Sequence, residues 1–375
     1  VAGDKVKKGT LIAQPTGLGA NIFSSVYGEV AEITENYILI NADEVQPDEF
    51  EPITGETTLE LVKNAGIVGM GGAAFPGNVK ALSAMGHIEY LIANACECEP
   101  YITADDGLLR TSPEQVLKGM QLLSRVLKPD HVVLAVEDNK QEAIVNLQGL
   151  MKKYKGIELR ILPTMYPQGA EKQLIQAVTG RQVPSGGLPA AVGCAVFNAA
   201  TVKAIYDAVY DGMPLIKRIV TVSGEAVARP GNYRVPLGTS FRDLLTAAGG
   251  LQVTAHRVVS GGPMMGVAQY DLSVPVIKGT NAVTILGYSN RRAIPAPHCI
   301  RCGRCIEVCP MHLMPVLMYK SIQGGDVADM AAQNMMDCIE CGCCAYNCPA
   351  CVPLVLAFRS GKQRIRDAAA AAAKK

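Results

Sequence analysis

The sequence lacks any apolar run long enough to cross a bilayer. A membrane-spanning helix needs about 20 mainly apolar residues, and every apolar segment here is broken sooner by glycine, proline or charge. Net charge is also nearly absent, because 35 Lys and Arg face 34 Asp and Glu in 375 residues. The basic residues are scattered along the chain, so nucleic acid is not an expected partner. Any membrane contact is predicted to be peripheral.

A secretory signal peptide is absent as well, since no basic segment followed by an apolar one stands at the N-terminus. A cytosolic location is therefore expected. Most of the 13 cysteines lie between Cys299 and Cys351, whereas disulfide frameworks belong to small secreted chains. This concentration of thiols favours a metal site in a reducing compartment.

Two copies of one cysteine motif follow each other in this region. The spacing C-x2-C-x2-C-x3-C-P runs from Cys299 to Pro310 and again from Cys338 to Pro349. In such pairs three closely spaced thiolates hold one [4Fe-4S] cluster, and the fourth cysteine of the motif reaches the other cluster. Crosswise ligation is therefore predicted. One cluster takes Cys299, Cys302, Cys305 and Cys348, and the other takes Cys338, Cys341, Cys344 and Cys309.

A pair of zinc knuckles is the alternative for these cysteines. Zinc sites usually pair two C-x2-C knuckles and do not run four cysteines in this order, so iron is favoured. Cys343 and Cys351 fall outside the repeat and are predicted to be small residues beside the clusters and not ligands. Residues 311–333, between the motifs, are expected to pack the cluster module against the rest of the chain.

Short strands between glycine turns are predicted for residues 1–44. The pattern resembles the barrel-sandwich domain of biotinyl and lipoyl carriers, which bear their cofactor on a lysine at a hairpin tip. The tip region here, residues 19–25, has no lysine. A structural or docking role is therefore predicted for this domain.

A glycine-rich loop, residues 66–76, opens the second segment, residues 45–213, where apolar strands alternate with amphipathic helices. Glycines let backbone N–H groups approach a phosphate, and Lys80 in the helix that follows can neutralise its charge. Ala74 breaks the dinucleotide fingerprint, so a purely structural turn is the alternative.

Three more polar segments, around Asn94, Tyr166 and Asn198, follow strands or open helices, where an open α/β sheet binds ligands. Together with the glycine loop they resemble the flavin- and NADH-binding domain of the flavoprotein subunit of respiratory complex I. The resemblance implies contacts to FMN from Gly69, Gly71, Gly72, Lys80, Asn94, Asn198 and Thr201. It implies catalytic residues near the isoalloxazine at Glu97, Tyr166 and Glu171. Phe75 and Glu99 match positions that hold NADH.

Two positions depart from that family. Met70 stands where the loop often has an arginine, and Cys96 replaces an acidic residue. Cys96 and Cys98 each have a neighbouring glutamate, which should raise a thiol pKa, so both are predicted to be structural and unreactive.

Strands around one helix near Phe241 predict a β-grasp domain at residues 214–290. It resembles the soluble-ligand-binding β-grasp domain that follows the flavin domain in complex I and its relatives. Residues 260–266 are predicted to form a packed turn there. The expected fold is thus multidomain α/β and α+β, closed by a two-cluster ferredoxin-like helical domain at residues 291–366 and a low-complexity tail at residues 367–375.

This domain order resembles the RnfC family of Rnf ferredoxin:NAD oxidoreductases over essentially the whole chain, including the segments at residues 166–173 and 183–189. The resemblance implies a peripheral subunit at the cytoplasmic face of the membrane. Such a subunit exchanges hydride between NADH and FMN, and single electrons between FMN and two [4Fe-4S] clusters. Its expected partners are membrane-integral and ferredoxin-like Rnf subunits, which move Na⁺ or H⁺, with ferredoxin reached indirectly.

Two other functions remain open from the sequence. A soluble cobalamin reductase carries the same parts, although its barrel-sandwich segment follows the flavin domain. A non-catalytic electron-wire or docking subunit would keep the clusters and lack a working nucleotide pocket. The related quinone-reducing sodium pump has a subunit without the two cluster motifs, so the span from Cys299 to Cys348 excludes it.

Overall fold

The computed structural model of the protein describes residues 1–288 and 298–373. Four units follow one another along these ranges. The predicted boundary between the β-grasp and cluster domains, at residues 290 and 291, lies outside the described residues, and so do residues 374 and 375 of the predicted tail.

The first unit consists of short antiparallel strands. Their bounds are β1 (Lys5–Val6), β2 (Leu11–Ala13), β3 (Ile22–Phe23), β4 (Gly28–Ile33) and β5 (Ile38–Ala42). One sheet has the order β1-β4-β5, and β2 pairs with β3. Gly28 permits the β4–β5 pairing, because a Cβ there would stand 2.2 Å from the backbone oxygen of Asn41.

The second unit is a four-stranded parallel sheet with helices on both faces. Its elements are α1 (Thr58–Asn64), α2 (Gly77–Ala84), β6 (Tyr90–Ala95), α3 (Ala104–Thr111), α4 (Pro113–Leu127), β7 (His131–Glu137), α5 (Gln141–Met151), β8 (Ile157–Leu162), α6 (Glu171–Thr179), β9 (Cys194–Asn198) and α7 (Ala199–Tyr210). The strand order is β8-β7-β6-β9. From β6 the chain continues outward to β7 and β8, and it then returns to place β9 on the other side of β6. The strand order therefore switches between β6 and β9, and ligands bind at such a switch point.

The burial of the strands explains this layering. Six of the seven residues of β7 are buried, as expected for a parallel strand covered on both faces. Helix α4 buries Val116, Met120, Leu123 and Leu127 on one stripe, which is the spacing of an amphipathic helix. Alternate residues of β7 therefore point into two apolar cores, one on each face of the sheet.

The third unit has five strands and one helix, as the β-grasp pattern predicts. Its elements are β10 (Lys217–Ser223), β11 (Gly231–Pro236), α8 (Phe241–Ala247), β12 (Ala255–Ser260), β13 (Val267–Gln269) and β14 (Ala282–Gly287). The sheet order is β11-β10-β14-β12-β13. Helix α8 is capped by Ser240, whose side chain accepts a hydrogen bond from the Asp243 N–H at 3.0 Å, and it buries Phe241 against the sheet.

The fourth unit is helical: α9 (Arg304–Glu307), α10 (Pro315–Gly324), α11 (Val327–Ala332), α12 (Cys343–Tyr346) and α13 (Leu354–Ala373). Helices α10 and α11 pack on α13 around Met318, Met330 and Phe358. Much of the segment between the motifs therefore builds the core of its own unit, and the loops beside the cysteines contact the rest of the chain. No helix in the two described ranges is long and apolar enough to span a membrane.

Replacing Gly119 by alanine should destabilise the second unit. A Cβ there would stand 2.2 Å from the backbone oxygen of Val202, where α4 crosses α7, and overpacking costs about 1–3 kcal/mol. Gly149→Ala is the matched control, because α5 leaves open space at that position and alanine gains roughly 0.5–1 kcal/mol over glycine inside a helix. Urea unfolding compares the two variants. Equal free energies of unfolding would show that α4 and α7 do not approach so closely.

Candidate cofactor sites

The glycine loop between α1 and α2 presents backbone N–H groups to solvent. Its ends are closed by hydrogen bonds from Gly69 N to the Phe75 oxygen at 2.8 Å and from Ala74 N to the Gly69 oxygen at 3.2 Å. Within the described ranges, the N–H groups of residues 71–73 meet no protein acceptor. Gly72 has a φ of +117°, and open space lies where its Cβ would be. Successive free N–H groups in such a turn form a site for an anion.

Thr201 fixes this loop to α7. Its buried hydroxyl accepts a hydrogen bond from the Met70 N–H at 2.8 Å and donates one to the Val68 oxygen at 3.3 Å. A side chain predicted as a contact to FMN is thus engaged with the backbone of the loop. Thr201 would therefore act on a bound cofactor indirectly, by holding the loop in this conformation.

Asn94 and Asn198 lie side by side at the carboxyl ends of β6 and β9, where they are direct partners in the register. The Asn94 amide donates to the Gly169 oxygen at 2.8 Å and accepts from the Cys96 N–H at 3.0 Å. The Asn198 oxygen accepts from the Ala200 N–H at 3.0 Å and caps α7. Each amide nitrogen carries a second hydrogen, which can serve a ligand.

Asp105 is a site residue that the sequence patterns missed. Its carboxylate accepts a hydrogen bond from the Asn198 amide at 2.5 Å. The neighbouring Glu97 carboxylate accepts from the N–H groups of Asp105 and Asp106 at 3.0 and 3.2 Å. Burial, with the charge of Asp105 as the next cause, raises the pKa of Glu97. Burial also raises the pKa of Asp105. The two acids therefore form a half-buried pair that favours holding a proton.

Lys80 and Glu171 form an ion pair of 2.6 Å across the space between α2 and α6. Their side chains are 31% and 40% exposed, so the charges stay hydrated. The Lys80 ammonium also lies 5.6 Å from the ring centre of Phe197. The structure thus brings together a predicted phosphate-binding lysine and a predicted catalytic glutamate. Phe75, in the loop, is 43% exposed.

Glu99 and Tyr166 join three units. One Glu99 oxygen accepts hydrogen bonds from the N–H groups of Met264 and Met265 in the predicted β-grasp turn, at 2.7 and 3.1 Å. The Tyr166 hydroxyl lies 3.2 Å from the other Glu99 oxygen and 2.5 Å from the backbone oxygen of Cys341. Burial raises the pKa of Glu99. We call Glu99, Tyr166 and the Cys341 carbonyl the Tyr166 joint.

Cys96 and Cys98 lie in the segment that follows β6. Burial raises the pKa of both thiols, to about 11 for Cys98. The Cys98 sulfur also accepts a hydrogen bond from the Gly169 N–H at 3.3 Å. Unreactive thiols were predicted here, and the direction of the pKa shift agrees, although burial and not the adjacent glutamates is the main cause.

Two cavities in the helical unit collect the cysteines in the crosswise sets. One cavity is lined by Cys309 together with Cys338, Cys341 and Cys344. The other is lined by Cys348 together with Cys299, Cys302 and Cys305. No three His, Cys, Asp or Glu side chains of the described ranges converge on a single metal ion. A cluster that holds the thiolates apart therefore fits this donor set better than a zinc ion does.

The cavity lined by Cys309 faces the second unit, and we call it the proximal cavity. Gln173 of α6 donates to the Pro310 oxygen at 3.0 Å, and the Tyr166 joint ends on its Cys341. Cys343 lines this cavity as well. The other, distal cavity opens to the surface, since Cys299 and Cys302 are exposed. Cys351 is also exposed.

Family models match three parts of the chain. Residues 62–207 match the Nuo51 FMN-binding domain, residues 219–268 match the SLBB domain, and residues 293–349 match the 4Fe-4S dicluster domain. The chain therefore carries an FMN-binding domain and a dicluster domain. A solved structure, the NAD⁺-reducing [NiFe]-hydrogenase in the H₂-reduced state, has a similar fold, with a TM-score of 0.60 over 81% of this chain and 61% of that chain at 23% identity.

Curated relatives match nearly the full length of the chain. The RnfC protein of the proton-translocating ferredoxin:NAD(+) oxidoreductase complex of Clostridium ljungdahlii is 40% identical over 84% of this chain and 73% of its own length. Its counterpart in the Na(+)-translocating complex of Acetobacterium woodii is 37% identical over 89% and 78%. The counterpart in the ion-translocating oxidoreductase complex of Pseudomonas aeruginosa is 41% identical over 97% of this chain, which spans about 50% of that protein. The chain belongs to this family, the RnfC family of ion-translocating ferredoxin:NAD oxidoreductase complexes.

Proposed function

We propose that this chain is the electron-transfer subunit of an ion-translocating ferredoxin:NAD oxidoreductase. In this role it exchanges hydride between NADH and FMN, and single electrons between FMN and two [4Fe-4S] clusters. The observation that carries the proposal is the Tyr166 joint, by which a side chain of the flavin domain contacts the loop of the proximal cavity. The cobalamin-reductase alternative is not favoured, because the relatives compared above are all named as subunits of ion-translocating complexes.

The flavin site would be formed by the glycine loop and the switch point of the sheet. When bound, FMN exchanges electrons in pairs with NADH and singly with the clusters. The N–H groups of Gly71 and Gly72 are free for its phosphate, with Lys80 adding a positive charge nearby. Asn94 and Asn198 each offer an amide hydrogen. Gly69 supports the turn through its bond to Phe75.

The acid pair would supply proton chemistry. Hydride exchange changes the number of protons held near the ring, and the half-buried Glu97 has a raised pKa. We assign Glu97 to hold this proton and Asp105 to keep Asn198 in place through their hydrogen bond. Glu171 orients Lys80 through their ion pair. Phe75 and Glu99 remain our assignments for contacts to NADH, and Glu99 would combine that role with its place in the Tyr166 joint.

The cysteines would hold the clusters in the crosswise sets. Cys338, Cys341, Cys344 and Cys309 hold the cluster of the proximal cavity, and Cys299, Cys302, Cys305 and Cys348 hold that of the distal cavity. Backbone N–H groups of Leu313 and Glu340 already point at the Cys309 and Cys338 sulfurs at 3.4 Å, and such bonds stabilise thiolate charge. The exposed distal rim is suited to exchange electrons with a ferredoxin-like partner at the cytoplasmic face of the membrane complex.

Removing the charge or the proton of the flavin site should reduce NADH oxidation. Lys80→Ala is expected to lower NADH:ferricyanide activity about tenfold, because a charge-assisted contact is lost. Glu97→Gln should lower it roughly 100-fold, because the amide cannot exchange the proton. Lys152→Ala, at an exposed site on the far end of α5, is the control. Full activity in both site variants, with cluster absorbance unchanged, would overturn the assigned flavin site.

Loss of Cys309 should remove the proximal cluster although this residue belongs to the first motif. Cys309→Ala is expected to lower the iron content from about eight to about four atoms per chain. The electron paramagnetic resonance signal that remains should differ from the one that remains in Cys302→Ala, because Cys302→Ala removes the distal cluster. Cys351→Ala should keep all the iron. Identical residual spectra in Cys309→Ala and Cys302→Ala would show that each motif holds its own cluster.

A further inference from the structure

Lys278 of the β-grasp unit ends against the glycine loop. Its ammonium donates to the Gly66 oxygen at 2.6 Å and also to the Asn21 oxygen of the first unit. Burial lowers the pKa of Lys278, and the two carbonyl oxygens favour its charged form. No carboxylate of the described ranges lies within 4.0 Å of this ammonium. A half-buried positive charge is thus held at the start of the loop by backbone carbonyl oxygens.

Arg218, also of the β-grasp unit, holds the middle of the loop. Its buried guanidinium donates to the Met70 oxygen at 3.2 Å and to the Lys278 oxygen. Burial lowers its pKa, and Asp105 and Glu97 act in the opposite direction. Those acids do not form an ion pair with Arg218 in the part of the chain that the structure describes. The two cations therefore contact carbonyls at the start and in the middle of the loop, and Arg218 also binds the backbone of Lys278.

The same segment of the β-grasp unit approaches the exposed tip of the loop. A Cβ on Gly279 would stand 3.0 Å from the Gly72 oxygen. Gly66, with a φ of +64°, leaves no room for a Cβ, since one would stand 2.7 Å from the Lys278 ammonium. The β-grasp unit thus contacts the loop at Gly66, Met70 and Gly72.

We propose that Arg218 and Lys278 are positioning residues of the FMN phosphate site. By binding the carbonyls of Gly66 and Met70, they keep the loop's N–H groups directed at the phosphate, and their positive charge attracts the dianion. The inference rests on the proposed function, because it deepens the flavin site assigned there. It makes the β-grasp domain part of the cofactor site, although it supplies no direct contact.

Flavin affinity tests this proposal without use of enzyme turnover. The full chain, with clusters retained and flavin removed by dialysis, is titrated with FMN and with riboflavin, and flavin fluorescence reports the dissociation constant. Lys278→Met should weaken FMN binding roughly 10- to 100-fold, because a buried charged contact is lost. Riboflavin, which lacks the phosphate, should change by less than about threefold. Lys278→Arg should restore most of the FMN affinity.

The controls separate the outcomes. Lys152→Met removes an exposed lysine and should leave both affinities unchanged. Arg218→Lys keeps the positive charge but loses one of the two hydrogen bonds that the guanidinium donates to the Met70 and Lys278 oxygens. It should weaken FMN binding by a smaller factor than Lys278→Met. Equal FMN affinity in Lys278→Met and the unaltered chain would overturn this inference and leave the proposed function standing. An equal loss of FMN and riboflavin affinity would overturn it too, because the effect would then not concern the phosphate. An unaltered chain without FMN affinity would overturn both.

Discussion

The Tyr166 joint is the constraint on which the arrangement of the molecule depends. Electron transfer between two cofactors requires that the domains carrying them keep a fixed separation, and here one hydroxyl and one carboxylate connect flavin domain, β-grasp turn and cluster loop. Gly342 is needed on the same contact, because a Cβ there would stand 2.7 Å from the Met264 oxygen. Small, hydrogen-bonded groups thus let the three units contact one another directly.

The two cations of the β-grasp domain beside the glycine loop are stabilised mainly by backbone groups. Arg218 and Lys278 end on carbonyl oxygens of that loop. An isolated buried charge costs several kcal/mol, so these groups would be poor choices if stability alone were selected. They make sense where a bound anion completes the charge balance. The electrostatics of the domain therefore match a protein that folds around a charged cofactor.

Sequence patterns predicted the local features well and the long-range ones poorly. The predicted alternation of apolar strands with amphipathic helices is present from β6 to α7, since apolar periodicity is a local property. The cysteine spacing predicted which thiols share a cavity, because a cluster fixes their separation. Lys278 contacts Gly66 across 212 residues, and no local pattern marks such a pair. The Asp105 to Asn198 bond escaped prediction for the same reason, and the resemblance that named Thr201 could not show that its hydroxyl serves the loop.

The exposure of Cys299 and Cys302 has a consequence for how the protein behaves outside its complex. Under the proposed ligation, the distal cluster would have two ligands at the surface, open to dioxygen and to chelators, whereas Cys341 and Cys344 of the proximal cavity are buried. Damage by air should therefore begin at the distal cavity. A protein covering that rim would act as a shield as well as an electron partner, and assembly would protect the cluster through which the complex works.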